Sequence, residues 1–221
     1  VGALTSDDFR FQMRVWFLKE TKSLCTGCGT GCNTVIGSRE NRMYRYEPRQ
    51  NDAVNSCWMC DAGRLNYKWI GRDDRLAKLR GPRGNTTWPS ALREISGHLA
   101  KAAEGSVAIV ASARQTNEEL FLLNKLAKRY KALTDSVPRN GQADHLLVAG
   151  DRNPNTTGAQ LTGITTQRVG SKLGAIAKGI AAGKITTLIV YGEDVTQHGI
   201  DAKLLGKLKL LIVSDILPNA T

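Results

Sequence analysis

Five cysteines fall within 36 residues of this 221-residue chain, and the rest of it has none. They are Cys25, Cys28, Cys32, Cys57 and Cys60, spaced C-x2-C-x3-C-x24-C-x2-C. A segment this rich in thiols folds around whatever the thiols hold, and three chemistries compete for them. Disulfides suit small stapled domains in oxidising compartments. Here the count is odd, no secretory apolar segment opens the sequence, and everything after Cys60 is cysteine-free. A structural zinc would take the two CxxC pairs, Cys25/Cys28 and Cys57/Cys60, as a tetrahedral four-thiolate site. Their separation exceeds the roughly 15–20 residues of a zinc ribbon, and Cys32 is left without a role. A [4Fe–4S] cubane commonly takes three thiolates from one tight loop and a fourth from a distant segment. Cys25-Thr-Gly-Cys28-Gly-Thr-Gly-Cys32 supplies the loop, and Cys60 completes C-x2-C-x3-C-x27-C, with Cys57 a spare neighbour or substitute. Gly27, Gly29 and Gly31 allow tight turns that aim N–H groups inward, which favours the cluster.

The hydrophobic pattern divides the chain. Phe9, Phe11, Met13, Val15 and Phe17 alternate with polar residues and predict a strand. Thr34–Gly37 and Met43–Tyr46 predict short strands about a turn at Glu40-Asn41-Arg42. Residues 1–72 thus read as a small β-rich unit around the cysteines. Residues 73–88 read as a polar linker. Residues 89–221 alternate helices and strands: a helix from Pro89 to about Ala103, a strand at Val107–Ala111, and a helix from Thr116-Asn-Glu-Glu119 to about Tyr130. Helix 172–182, strand 186–191, a short helix near 200–206 and strand 209–214 follow. Thr116 and Glu119 have capping-box spacing, and Pro89 suits a first helical turn. Short apolar strands alternating with helices predict an α/β fold with a parallel sheet, here about half of a doubly wound domain. No G-x-G-x-x-G follows any strand, so no nicotinamide site is expected. The loops at 150–155 and 192–194 adjoin strand ends, where open sheets bind ligands, although Asn, Asp and Pro there equally suit plain turns.

The formal net charge is +11. The basic residues are scattered among acids without a recognition-helix, finger or aromatic-stripe pattern, so no nucleic-acid partner is expected. Arg39, Arg42, Arg45 and Arg49 concentrate near the cysteines, where they would offset the negative charge of a thiolate-bound cluster or meet an acidic partner protein. His98, His145 and His198 form no ligand pair and read as surface or capping residues. Trp58 reads as either a shield for the cluster or an ordinary packing residue. No run approaches the roughly 20 apolar residues of a membrane span, and five reduced cysteines point to the cytoplasm.

The motif C-x2-C-x3-C-x27-C followed by Asp61-Ala-Gly-Arg64 resembles the N-terminal iron–sulfur segment of the molybdopterin oxidoreductase superfamily. Phe9–Thr21 and Arg49–Cys60 are most similar to the family of G subunits, the iron–sulfur subunits of bacterial NADH:quinone oxidoreductases. Asp151–Ala159, Tyr191–Asp194 and Asp215–Thr221 resemble loops of the superfamily's α/β domain. Val1-Gly-Ala-Leu4 is similar to the stretch after a ferredoxin Cys-Pro, and no initiator Met is present. The resemblance therefore implies a piece of a longer protein, incomplete at both ends. It also implies a [4Fe–4S] cluster on Cys25, Cys28, Cys32 and Cys60, an electron-carrying role beside other respiratory, dehydrogenase or hydrogenase subunits, and a place on the cytoplasmic side of a membrane complex. Molybdenum members usually carry a Lys where this chain has Ala62, and later supply a metal ligand. No cysteine is available for that here, and neither Asp151 nor Ser136 sits in a ligand motif. These departures argue against bound molybdopterin and against a complete catalytic site. The alternatives are the N-terminal part of a molybdopterin enzyme such as a formate dehydrogenase, and a structural four-cysteine zinc module.

Overall fold

The computed structural model describes residues 5–82 and 84–221. Residues 1–4, which carry the ferredoxin-seam resemblance, and Arg83 of the expected linker lie outside the described residues. The chain divides into two compact units, Val1–Asp73 with Arg139–Pro154, and Asp74–Pro138 with Asn155–Thr221.

The first unit is built on an antiparallel meander of β1 (Lys19–Leu24), β2 (Asn33–Arg39) and β3 (Arg42–Pro48). Only Glu40 and Asn41 join β2 to β3, and both have positive φ (50° and 61°), which gives a two-residue turn matched to the strand twist. The register sets Leu24 against Asn33 and Ile36 against Tyr46. The cysteine loop therefore springs from the closed end of the β1–β2 hairpin.

The strand expected over Phe9–Phe17 does not form; turns lead into a 3-10 helix at Val15–Phe17, and pairing begins at Lys19. An alternating strand needs a face to bury, and here only Phe9 is buried. Phe11 is 93% exposed with φ 60°, and Trp16 is 72% exposed. Arginines cover these rings instead: Arg10 lies 5.0 Å from the Phe11 centroid and Arg45 5.2 Å from that of Phe9. After β3 the chain turns through 49–60 into the short helix α1 (Asp61–Leu65).

Residues 139–154, which the periodic reading places inside the α/β domain, group with the first unit. An antiparallel bridge between Asn140 and Asp151 closes them into a loop. Within it, the Asp144 carboxylate accepts the N–H groups of Leu146, Leu147 and Val148 at 2.9, 2.8 and 2.7 Å.

The second unit starts with a two-residue ladder, β4 (Arg80–Gly81) and β5 (Gly84–Asn85), followed by α2 (Trp88–Ala100). The expected linker residues belong to this unit, where Leu76 N–H donates to Ile216 O at 2.9 Å. Next come β6 (Val107–Ala111), α3 (Asn117–Tyr130), β7 (Leu133–Asp135), α4 (Thr156–Leu161), α5 (Leu173–Ala181), β8 (Thr187–Tyr191), α6 (Ala202–Leu205) and β9 (Leu210–Ser214). The capping box forms as expected: Thr116 Oγ1 accepts Glu119 N–H and the Glu119 carboxylate accepts Thr116 N–H.

Four strands, one more than the three legible in the sequence, make an all-parallel sheet in the order β7-β6-β8-β9. Every residue of β6 is fully buried, as a central parallel strand demands. Alternate strand residues feed opposite cores. Ala108, Val110, Leu188 and Val190 pack with Ile176 and Ile180 of α5. Val107, Ile109, Ala111 and Ile189 pack with Leu120, Leu123 and Ala127 of α3. Helices thus cover both faces, the doubly wound arrangement.

Candidate iron–sulfur site

The cysteine loop is pinned at its base and turned by glycine. Cys25 N–H donates to Cys32 O at 2.8 Å, closing the loop across the β1–β2 end. Gly31 has φ 63°, a conformation that costs an ordinary residue strain, and its N–H reaches Cys28 O at 3.2 Å. Cys25, Cys28 and Cys32 are buried, Cys60 is partly buried and Cys57 is exposed. Cys25 and Cys32 pack with Tyr46 and Met59, flanked by Ile36, Met43 and Tyr67. Tyr46 is oriented by its hydroxyl, which donates to Leu24 O at 2.6 Å. This apolar wall keeps water from one side of the thiols.

The distant cysteine is delivered by the 49–60 turn, and Asn55 fixes that turn. Its side chain is buried; Oδ1 accepts the N–H of Asn33 at 2.9 Å, while Nδ2 donates to Trp58 O at 3.0 Å and to Arg49 O at 3.4 Å. Asn33 directly follows Cys32, and Trp58 stands two residues before Cys60. One amide therefore ties the last loop cysteine to the segment bearing the fourth. Cys60 then caps α1, its sulfur accepting Gly63 N–H at 3.3 Å.

Gly63 shows how closely the sulfurs gather. A Cβ there would lie 3.2 Å from Cys25 Sγ, 3.4 Å from Cys60 Sγ and 3.1 Å from the Met59 methyl. Two cysteines from remote segments thus share a space that only glycine leaves open. Among the described residues, no three or more His, Cys, Asp or Glu groups gather as one metal ion requires. A cubane takes its thiolates at four separate iron corners. Four cysteine sulfurs, a three-cysteine loop and a glycine-lined space fit that group by donor chemistry and shape.

The electrostatics tell the corners apart. Burial pushes the Cys32 thiol up to about 11, reinforced by Cys25, Cys28 and Cys60. Cys25 is raised mainly by burial, with Cys28 and Cys60 adding to it against a hydrogen bond from Gly27 N–H. That Cys28 and Cys60 act on both Cys25 and Cys32 reflects how near the four lie to one another. Cys28 behaves oppositely. Burial is its largest single influence and acts upward, yet hydrogen bonds from Thr30 and from Ala149 N–H, with the charge of Arg152, hold it below the ordinary thiol value.

Arg152 lies in the 150–155 loop that the sequence marks as a candidate binding loop, but nothing in the sequence links it to the cysteines. The four arginines that the sequence places near the cysteines are mostly engaged elsewhere. Arg39 pairs with Glu40 at 3.2 Å, Arg45 with Glu47 at 3.0 Å, and Arg42 stacks over Tyr44. Of the four, Arg49 alone reaches a residue adjacent to a cysteine, donating to the side chain of Asn33. Trp58 is 63% exposed, so it does not shield the site. Asp151, which the sequence places in no ligand motif, meets the cysteine loop through its backbone: its carbonyl accepts Gly29 N–H at 2.7 Å.

Comparison with known proteins finds a match for the cysteine-bearing segment. Residues 18–70 match the molybdopterin oxidoreductase Fe4S4 domain. NADH-quinone oxidoreductase subunit 3 of Thermus thermophilus is 31% identical over 134 residues, which is 59% of this chain and 17% of that protein. The NADH-quinone oxidoreductase G subunit of Streptomyces coelicolor is 32% identical over 133 residues, covering 58% of this chain and 16% of the relative. A provisionally named formate dehydrogenase of Staphylococcus aureus is 28% identical over 130 residues, 55% of this chain and 13% of its own. The aligned part is thus about a sixth or less of each relative's length. Residues 18–70 are thus similar to the molybdopterin oxidoreductase Fe4S4 domain, in a chain that is similar over more than half its length to NADH-quinone oxidoreductase subunits.

Proposed function

We propose that this chain carries one [4Fe–4S] cluster on Cys25, Cys28, Cys32 and Cys60, and serves as an electron carrier in a multi-subunit oxidoreductase of the NADH:quinone type. The observation that carries the proposal is the meeting of Cys25 and Cys60, from segments far apart in sequence, across the space kept open by Gly63. Such a cluster supplies one-electron chemistry when bound. The protein's own part is to hold and insulate. The Cys25–Cys32 hydrogen bond sets the loop, Asn55 sets the fourth ligand, and Tyr46, Met59 and Ile36 exclude water. The partners would be the other subunits of the complex, and the location its cytoplasmic side. Among the described residues no helix is long and apolar enough to cross a membrane.

A formate dehydrogenase-like molybdopterin enzyme is the second reading, supported by the Staphylococcus aureus relative. Ala62 and the absence of cysteine after Cys60 count against it.

The test is iron, sulfide and zinc content with a visible spectrum, on protein purified without oxygen. About four iron and four sulfide per chain are expected for a cubane, retained in Cys57→Ser and lost in Cys60→Ser. One zinc without sulfide, lost in Cys57→Ser, would replace the cluster with a structural zinc site.

A further inference from the structure

The segment 139–154 lies against the cysteine loop from far along the chain. Gly29 N–H donates to Asp151 O at 2.7 Å, and Thr30 Oγ1 donates to Leu147 O at 3.0 Å across a separation of 117 residues. Thr30 Oγ1 also lies 3.4 Å from Cys28 Sγ, where it accepts from the thiol. Once Cys28 is a thiolate ligand it has no proton to give, and the single Thr30 proton faces two acceptors, the sulfur and Leu147 O. Ala149 N–H points at the same sulfur.

The segment holds its charge rigidly. Arg152 donates through Nη2 to Gln142 O at 2.8 Å, and its backbone N–H donates to Arg139 O at 2.9 Å. Gly141 completes the seat, because a side chain there would collide with the guanidinium. The Asp144 carboxylate shapes the turn that presents Leu147.

We propose that this segment sets the reduction potential of the cluster through its Cys28 corner, with Thr30, held between Cys28 Sγ and Leu147 O, and Arg152, which directly follows the Asp151 carbonyl that meets Gly29 N–H, as the tuning groups. The inference rests on the cluster assignment above. The couple gains or loses one electron, and no bond or proton changes partner. The added electron increases negative charge on the iron–sulfide–thiolate unit. Hydrogen-bond donors and a fixed positive charge stabilise that reduced form, so they raise the potential. The segment's hydrogen bonds reach the loop at Gly29 and Thr30, directly after Cys28. The segment thus makes one corner of the site unlike its neighbours.

The experiment is a potentiometric titration of the anaerobically purified full chain with dithionite, followed by electron paramagnetic resonance, on wild type, Arg152→Gln, Arg152→Lys and Thr30→Val. Arg152→Gln should lower the reduced fraction at the wild-type midpoint, with the reduced-to-oxidised ratio falling about tenfold, or about 59 mV for a one-electron couple. Arg152→Lys keeps the charge and should recover most of that shift; Thr30→Val should move in the same direction as Arg152→Gln by a smaller amount. Loaded Arg152→Gln and Thr30→Val proteins at the wild-type midpoint would overturn the inference while leaving the cluster assignment intact. Should Arg152→Gln take up no iron, Thr30→Val decides alone, a wild-type midpoint counting against the inference. Wild-type protein without iron and sulfide would overturn both.

Discussion

Removing the Asn55 amide tests whether one buried side chain holds the fourth cysteine in register. In Asn55→Ala the Asn33 N–H loses its acceptor at 2.9 Å, and the carbonyls of Trp58 and Arg49 lose a donor. A buried donor left unsatisfied costs about 1–3 kcal/mol, and each ordinary hydrogen bond lost adds about 0.5–1.5 kcal/mol. The longer contact at 3.4 Å contributes at the low end, so local destabilisation of about 2–5 kcal/mol is expected in the cluster-free chain. At about 1.4 kcal/mol per tenfold, amide exchange across 33–60 should accelerate by roughly 25-fold to a few thousand-fold. Hydrogen–deuterium exchange with mass spectrometry is the assay, because it reads residues 33–60 apart from the rest of the chain. Peptides of the β6–β8 sheet serve as the internal control and should not change. In the loaded protein, the same variant should lose iron to a chelator faster than wild type. Exchange over 33–60 within threefold of wild type, with unchanged iron retention, would refute the role assigned to Asn55.

Two further perturbations follow from the same geometry. Gly63→Ala should impair cluster retention while leaving the chain folded, since the sulfurs at 3.2 and 3.4 Å could give way only when no cluster fixes them; iron content and circular dichroism check the two halves of that statement. Asp144 is held below the ordinary carboxylate value by the N–H groups of Val148, Leu146 and Leu147. Between its lowered folded value and the unfolded value of about 3.9, the unfolded chain binds the proton that the folded chain does not. Its stabilisation of the 144–148 turn is therefore complete above the unfolded value and lost as pH falls through the folded one. Exchange of the 146–148 amides should rise with acidity in that window beyond the intrinsic trend, and Asp144→Asn should flatten the dependence.

What the sequence makes legible is local. The cysteine spacing, the Glu40-Asn41 turn and the Thr116/Glu119 capping box each declare themselves within a few residues, and the structure contains the turn and the box. The alternation at Phe9–Phe17 misleads because period two signals a strand only when one face is buried, and these rings meet arginines instead. Strand β7 escapes a periodic reading because three residues, Leu133-Thr-Asp135, carry no periodicity, and its pairing with β6 supplies the order. Asn55 looks like any turn asparagine until the fold puts Asn33 beside it. The contacts of 147–152 with the cysteine loop run largely through backbone carbonyls and amides, which leave no side-chain pattern to read. Thr30 and Arg152 sit in segments the sequence does mark, the cysteine loop and the 150–155 turn, but nothing in either segment shows that the two meet.

The interrupted course of the first unit also sets an order for biogenesis. All five cysteines leave the ribosome long before residue 154, separated from it by roughly ninety residues, about 5–20 s of synthesis at ordinary rates. During that interval the thiols are present while the segment that covers Cys28 has yet to emerge, and the first half of the second unit is translated in between. A nascent chain released before residue 154 would carry every cysteine and still lack the groups that complete the loop's hydrogen bonding.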